Sequence, residues 1–193
     1  MLRSEFINKR KEINRTFKEV NNILINFGGG DDRGLIEKSV NAVLKVNNNI
    51  KCDVILGQSN PNKEYLTEFL SKYNNITVHN HVGNMAEFMS KADLAIGSSG
   101  STIWERCCLG LPSIVASISN VEQQFATLCS KKKLVIYMGK QEDITTNIIS
   151  EKLQSLINNS DYLKQISKNG MAMLDGSGAS MVAQKIIELS GNK

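Results

Sequence analysis

The sequence of 193 residues is poor in several residue types that mark particular classes of protein. Its four cysteines show no Cys-x-x-Cys spacing, so a zinc knuckle is not expected. Its only histidines, His79 and His81, alternate on one face of a predicted strand. That placement would permit a metal pair, but a third ligand is not evident. We therefore expect no metal and no other cofactor.

Long apolar runs are also absent, since none approaches the roughly 18 residues needed to span a bilayer, and no secretory signal opens the chain. The net charge is only +4, and the basic residues are scattered apart from the runs 9–11 and 131–133. A nucleic-acid-binding face is therefore poorly supported. Cysteines without a pairing pattern are typical of a reducing compartment. The sequence predicts a cytoplasmic protein that binds neither nucleic acid nor membrane.

Short runs rich in valine and isoleucine alternate with segments of helical periodicity. The runs predict strands at 22–26, 52–56, 76–82, 93–96, 113–118 and 134–138. The pattern then changes to helices alone, at about 143–158, 161–174 and 178–190. Strand and helix in alternation predict an α/β fold, with a Rossmann-like doubly wound parallel sheet of about six strands and helices on both faces.

The polar stretch 5–20 has no clear period and precedes the first predicted strand. We expect residues 1–20 to be a linker or arm that leads from another, amino-terminal domain. Residues 21–193 are then the α/β domain.

Two glycine-rich or hydroxyl-rich turns follow predicted strands, at the sheet edge where open α/β sheets bind ligands. The first is Gly28–Gly30, whose backbone can approach a phosphate or a base closely, although a tight turn alone also needs glycine. The second is Ser98–Thr102, which offers amide donors, hydroxyls and a helix N-terminus to an anion. Glu105 could accept hydrogen bonds from vicinal hydroxyls, as acidic residues do with ribose. The alternative is that Ser101 is an N-cap and Glu105 only complements the helix dipole.

The segment 82–124, "VGNMAEFMSKADLAIGSSGSTIWERCCLGLPSIVASISNVEQQ", carries a specific resemblance. It is similar to the carboxyl-terminal domain of the nucleotide-sugar hydrolases of the pseudaminic acid pathway, which remove UDP from a diacetamido-trideoxy sugar. The similarity runs from the "FGGGD" turn to about residue 138. More distantly, the layout resembles the uridine-nucleotide-binding half of the N-acetylglucosaminyltransferase that makes the peptidoglycan lipid precursor. Both have the glycosyltransferase-B architecture, so the resemblance implies one half of that fold.

The resemblance implies UDP or a UDP-sugar as ligand and assigns roles position by position. The reacting phosphate would face Gly28, Gly29 and Gly30. The diphosphate would be held by Ser99, Gly100, Ser101 and Thr102, and the ribose by Glu105. The sugar would lie near Asn120, Gln123 and Gln124, and Met85 would help to form the uracil pocket.

One departure from the hydrolase pattern limits what the chain is expected to do alone. The family's catalytic histidine lies in a "G-x-G-H" segment of the amino-terminal domain, and this sequence contains no such segment. We therefore expect no catalytic residue in this chain, and the amino-terminal domain of the same enzyme as its partner. Three functions stay open: the UDP-binding half of a hydrolase, the donor-binding half of a glycosyltransferase, and a non-catalytic nucleotide-sugar-binding domain.

Overall fold

Six parallel strands form one sheet in the computed structural model, which describes residues 2–80 and 82–190. The strands are β1 (Asn22–Asn26), β2 (Lys51–Ile55), β3 (Ile76–His79), β4 (Leu94–Ser98), β5 (Ser113–Ser117) and β6 (Ile136–Lys140). Their order across the sheet is β3-β2-β1-β4-β5-β6. The predicted doubly wound parallel sheet is confirmed.

Helices connect consecutive strands on both faces of the sheet, and further helices precede the first strand or follow the last. They are α1 (Ser4–Glu12), α2 (Leu35–Val46), α3 (Lys63–Leu70), α4 (Met85–Lys91), α5 (Thr102–Cys108), α6 (Asn120–Lys131), α7 (Thr146–Ile157), α8 (Ser160–Met173) and α9 (Gly178–Ser190). The three predicted carboxyl-terminal helices are thus present as α7, α8 and α9. Among residues 2–80 and 82–190, no helix has both the length and the hydropathy needed to cross a membrane.

Alternate residues of β1 supply the cores on the two sides of the sheet. Ile23 and Ile25 pack with the apolar faces of α2 and α7. Leu24 points the other way and packs with α4, α5 and Phe6 of α1. This alternation with period two places an apolar side chain against helices on each face, which is why the central strands are nearly continuous apolar runs.

The strand predicted at 134–138 begins two residues later, at Ile136. Leu134 is buried, but its amide donates to Cys129 O (3.0 Å) in a turn that ends α6. Lys133 has a φ of 53° in this turn, a left-handed conformation typical of helix C-termini. The apolar character of residues 134 and 135 therefore reflects burial at a helix end rather than strand pairing.

Part of the segment expected to be a linker or arm is a helix that packs on the domain. Phe6 of α1 is 0 % exposed. Arg10 donates to Cys108 O (2.7 Å) and Met171 O (2.8 Å), at the carboxyl ends of α5 and α8. Arg15 donates to Leu109 O (2.6 Å) and to carbonyls at the end of α4. Cationic side chains are favourable at helix carboxyl ends, so these hydrogen bonds hold residues 4–15 against the domain. The connection of this segment to another domain stays a prediction.

Candidate functional site

The order of the strands reverses between β1 and β4, at the centre of the sheet. β1 and β4 are hydrogen-bonded neighbours, and Asn26 of β1 lies beside Gly97 of β4 near the carboxyl ends of the two strands. Crossovers from these two strands lead to opposite sides of the sheet, so their following turns diverge and leave a crevice. The turns that begin at Gly28 and Ser99 flank this position.

A cleft of about 310 Å³ opens at this switch point. Its walls are formed by Arg3, Asn26, Gly28, Gly29, Ile55, Leu56, Gly57, Gln58, Asn80, Val82, Met85, Thr102 and Glu105. The structure therefore brings together Gly28, Gly29, Met85, Thr102 and Glu105 from the predicted site. The cleft combines main-chain groups from two strand-to-helix turns with one carboxylate.

The glycine turn is held in place by Gly57, which follows β2 and was not among the predicted site residues. A Cβ atom on Gly57 would lie 2.3 Å from Gly29 O and 2.6 Å from Gly28 O, so the two backbones touch. Ser59 N also donates to Gly29 O at 3.0 Å. Gly28 has a φ of 95°, which a side chain rarely permits. Gly29 and Gly30 are exposed, and a Cβ atom on either would meet nothing within 4 Å, although Gly29 O is already used by Ser59 N.

The Ser98–Thr102 turn offers main-chain amides at the other side of the switch point. Ser99 N donates to Ala116 O of β5 (2.9 Å), so this predicted donor is used within the fold. Within the described ranges, no main-chain acceptor is hydrogen-bonded to the amides of Gly100, Ser101 and Thr102. Those three amides are the free donors of the turn.

Glu105 lines the cleft but already has a partner. Its Oε1 accepts a charged hydrogen bond from Arg3 Nη2 at 3.2 Å, and its side chain is 18 % exposed. Arg3 also contacts Glu5 (3.1 Å) and lies over the Phe6 ring, 5.0 Å from the centroid. A ribose bound at Glu105 would therefore either share the carboxylate with Arg3 or displace Arg3 from it. The role of Glu105 with ribose stays a prediction.

Arg106 is a functional candidate that sequence reasoning missed, because a charged helical residue is usually exposed. It is only 3 % exposed. Its Nη2 donates to Ser98 O (2.7 Å) and Thr102 Oγ1 (2.6 Å), and its Nε donates to Thr102 O (3.3 Å). Burial lowers the pKa of Arg106 to about 10, so the guanidinium is still protonated at neutral pH. A cation thus lies behind the turn that lines the cleft.

A family comparison agrees with this architecture. Residues 22–184 match the model of the glycosyltransferase family 28 C-terminal domain. The chain belongs to this family.

Relatives of this family 28 domain are much longer than the chain. Over 165 residues it is 26 % identical to the spore coat polysaccharide biosynthesis protein SpsG of Bacillus subtilis (strain 168), covering 83 % of this chain and 48 % of that protein. Over 173 residues it is 29 % identical to the UDP-N-acetylglucosamine--N-acetylmuramyl-(pentapeptide) pyrophosphoryl-undecaprenol N-acetylglucosamine transferase of Rickettsia bellii (strain RML369-C), covering 84 % of this chain and 47 % of that protein. The chain therefore spans about half the length of these relatives.

A solved structure shares the fold of the family 28 domain. The crystal structure of MurG from Acinetobacter baumannii superposes with a TM-score of 0.73 at 19 % identity, covering 95 % of this chain and 53 % of that chain. This likeness confirms the predicted half of a glycosyltransferase-B fold. The resemblance to hydrolases of the pseudaminic acid pathway stays a prediction.

The other predicted residues do not line the cleft. Gly30, Ser99, Gly100 and Ser101 belong to the two turns, and Ser101 lines a neighbouring groove together with Glu105. Asn120, Gln123 and Gln124 are in the first turns of α6. Ser119 caps that helix by accepting from Glu122 N (3.3 Å), and Asn120 lines a separate groove. The sequence grouped them through the family resemblance alone, and their approach to a sugar stays a prediction.

His79 contacts neighbouring side chains at the end of β3. His79 Nε2 lies 2.6 Å from Asp53 Oδ1, and its ring packs edge-on against Phe88 at 4.6 Å between centroids. His81 lies outside the described residues. Within residues 2–80 and 82–190, no three His, Cys, Asp or Glu side chains are grouped to hold a metal ion.

Proposed function

We propose that the cleft binds the nucleoside diphosphate part of a UDP-sugar. The observation that carries this proposal is that Gly28, Thr102 and Glu105 line one cleft at the switch point of the sheet. Open parallel sheets bind nucleotides at this position. Membership of family 28 supports the proposal, because the relative from Rickettsia bellii is named as a transferase of UDP-N-acetylglucosamine.

Each part of the ligand meets groups suited to its chemistry. The amides of Gly100, Ser101 and Thr102 have no main-chain acceptor among the described residues, so they are available to the diphosphate oxygens. Glu105 accepts hydrogen bonds from the ribose hydroxyls once Arg3 shares or releases the carboxylate. Met85 and Val82 supply apolar surface for the flat face of the base.

For the whole protein, we propose hydrolysis of the UDP-sugar to release UDP from a diacetamido-trideoxy sugar. The resemblance of residues 82–124 to the pseudaminic-acid-pathway hydrolases supports this reaction. Hydrolysis needs a base that activates water and a positive environment for the departing diphosphate. Among the described residues that line the cleft, Glu105 is the one carboxylate, and it is paired with Arg3. The cleft therefore supplies the positive environment for the departing diphosphate, and an amino-terminal domain supplies the base.

Transfer of the sugar to an acceptor is the second candidate reaction. It is favoured by the alignment with the Rickettsia bellii transferase over 173 residues. Both reactions use the same donor site, so they differ in the product that accompanies UDP. Combining the chain with its amino-terminal domain and analysing the products separates them, since hydrolysis releases free sugar and transfer yields a glycoside.

Calorimetric titration of the chain with UDP tests the binding proposal. We expect saturable binding of one UDP per chain, and weaker binding of uridine because uridine lacks the diphosphate. A thermal shift with UDP should accompany the heat, because a ligand that binds only the folded state stabilises it. No heat and no thermal shift at millimolar UDP would remove the proposal.

A further inference from the structure

Arg106 is a buried cation without a carboxylate partner. No carboxylate of the described residues forms an ion pair with its guanidinium, and Glu105, its neighbour in sequence, contacts Arg3 instead. Its Nη1 atom has no hydrogen-bond partner within the described part of the chain. A buried charge that lacks a counter-ion is costly, so its retention requires a reason.

The unpartnered nitrogen lies beneath the switch point. A Cβ atom on Gly97 would be 3.4 Å from Arg106 Nη1 and 2.2 Å from Asn26 O. Asn26 and Thr102 both line the cleft. The charge of Arg106 therefore lies directly behind the cleft floor, between the carboxyl ends of β1 and β4.

We propose that Arg106 is the positioning residue of the anion site, and that it makes this cleft selective for a ligand that carries a diphosphate. The inference rests on the proposed binding of UDP. Arg106 acts through the Ser98–Thr102 turn and through its charge, since its own nitrogens are buried beneath that turn.

The hydrogen bond from Arg106 decides whether the Thr102 hydroxyl acts as a donor or as an acceptor toward the cleft. Arg106 Nη2 donates to Thr102 Oγ1 at 2.6 Å, so the hydroxyl oxygen is used as an acceptor. A hydroxyl carries one proton, which remains available as a donor. Thr102 lines the cleft, so this donor can meet a phosphate oxygen. Arg106 thus adds both a charge and an oriented donor, and both favour an anion.

The binding of UDP and of uridine to Arg106→Met tests the inference, because uridine has the same base and ribose but no diphosphate. We expect the UDP affinity to fall by at least about tenfold, which corresponds to about 1.4 kcal/mol. The uridine affinity should stay within about twofold of the unchanged protein. Arg106→Lys keeps the charge and should recover part of the UDP affinity.

Arg15→Met is the matched control. Arg15 is partly buried and donates to carbonyls at helix ends, and desolvation likewise lowers its pKa to about 10, but it does not line the cleft. This variant should lose stability while the ratio of UDP to uridine affinity stays unchanged. A purely structural role for Arg106 would make the two variants behave alike.

Thr102→Val and Thr102→Ser keep the test decisive if Arg106→Met does not fold. Valine removes the hydroxyl and should lower UDP affinity selectively, and serine, which keeps the hydroxyl, should bind UDP more tightly than the valine variant does. Equal losses for UDP and uridine in the valine variant, or no loss, would overturn the inference. If the unchanged protein binds UDP and Arg106→Met keeps its UDP-to-uridine ratio, the inference alone fails. Failure of the unchanged protein to bind UDP overturns the proposed function as well.

Discussion

Replacing Gly57 by alanine tests the packing that shapes one wall of the cleft. The added Cβ would lie 2.3 Å from Gly29 O, whereas ordinary contacts begin at about 3.4 Å, so the two backbones must separate by about 1 Å. The neighbour is backbone and not a flexible side chain, so the Gly28–Gly29 turn must move. Gly57 does not have a positive φ, so the effect is steric rather than conformational.

Overpacking of this kind typically costs about 1–3 kcal/mol. For a domain of this size each kcal/mol lowers the Tm by roughly 2–4 °C, so about 2 kcal/mol gives a decrease of about 4–8 °C. Because Gly28 and Gly29 line the cleft, the displaced turn should also lower UDP affinity. Thermal unfolding followed by circular dichroism measures the first effect, and calorimetric titration with UDP measures the second.

Gly83→Ala is the control, since a Cβ there would meet nothing within 4 Å and its φ is not positive. We expect its stability to change by no more than about 0.5 kcal/mol. The reasoning is refuted if Gly57→Ala has the same Tm and the same UDP affinity as Gly83→Ala, because the close approach of Gly57 to Gly29 would then not constrain the turn.

Three further changes test other parts of the account. Phe6→Ala should lower the free energy of unfolding by about 3–5 kcal/mol in urea denaturation, because Phe6 is 0 % exposed; a loss below about 1 kcal/mol would show that α1 is not part of the folded unit. Gly97→Ala should destabilise by at least about 1 kcal/mol, since its Cβ would lie 2.2 Å from Asn26 O, and an unchanged midpoint would contradict that contact. Glu105→Ala should weaken UDP more than pyrophosphate, which lacks ribose, and equal changes in the two affinities would assign Glu105 a structural role.

Most of the fold could be predicted because the strands are apolar runs with clear boundaries. The sheet of parallel strands follows from the alternation of such runs with amphipathic helices. The helix at residues 4–12 could not be found in this way, because Phe6 is the only fully buried side chain of its apolar face. The segment is held by the burial of Phe6 and by Arg10 and Arg15, which reach carbonyls more than 70 residues away in sequence.

The candidate site was predictable to the extent that it consists of local turns. Gly28–Gly30 and Ser98–Thr102 have compositions that favour close approach and hydrogen bonding, and both turns flank the switch point. Gly57 and Arg106 could not be predicted, because their importance depends on tertiary contacts with Gly29 and Ser98. Neither residue belongs to a pattern that can be read along the chain.

Titration of the ¹⁵N-labelled chain with UDP, followed by amide chemical shifts, tests the central claim most directly. We predict that UDP causes its largest shifts at the amides of Gly28, Gly29 and Gly100–Thr102. Uridine, which lacks the diphosphate, should cause smaller shifts than UDP in the Ser98–Thr102 turn. Gly28, Gly29 and Thr102 line the same cleft as Glu105. Largest shifts at the opposite edge of the sheet, around Asn75 and Asp53, would contradict it.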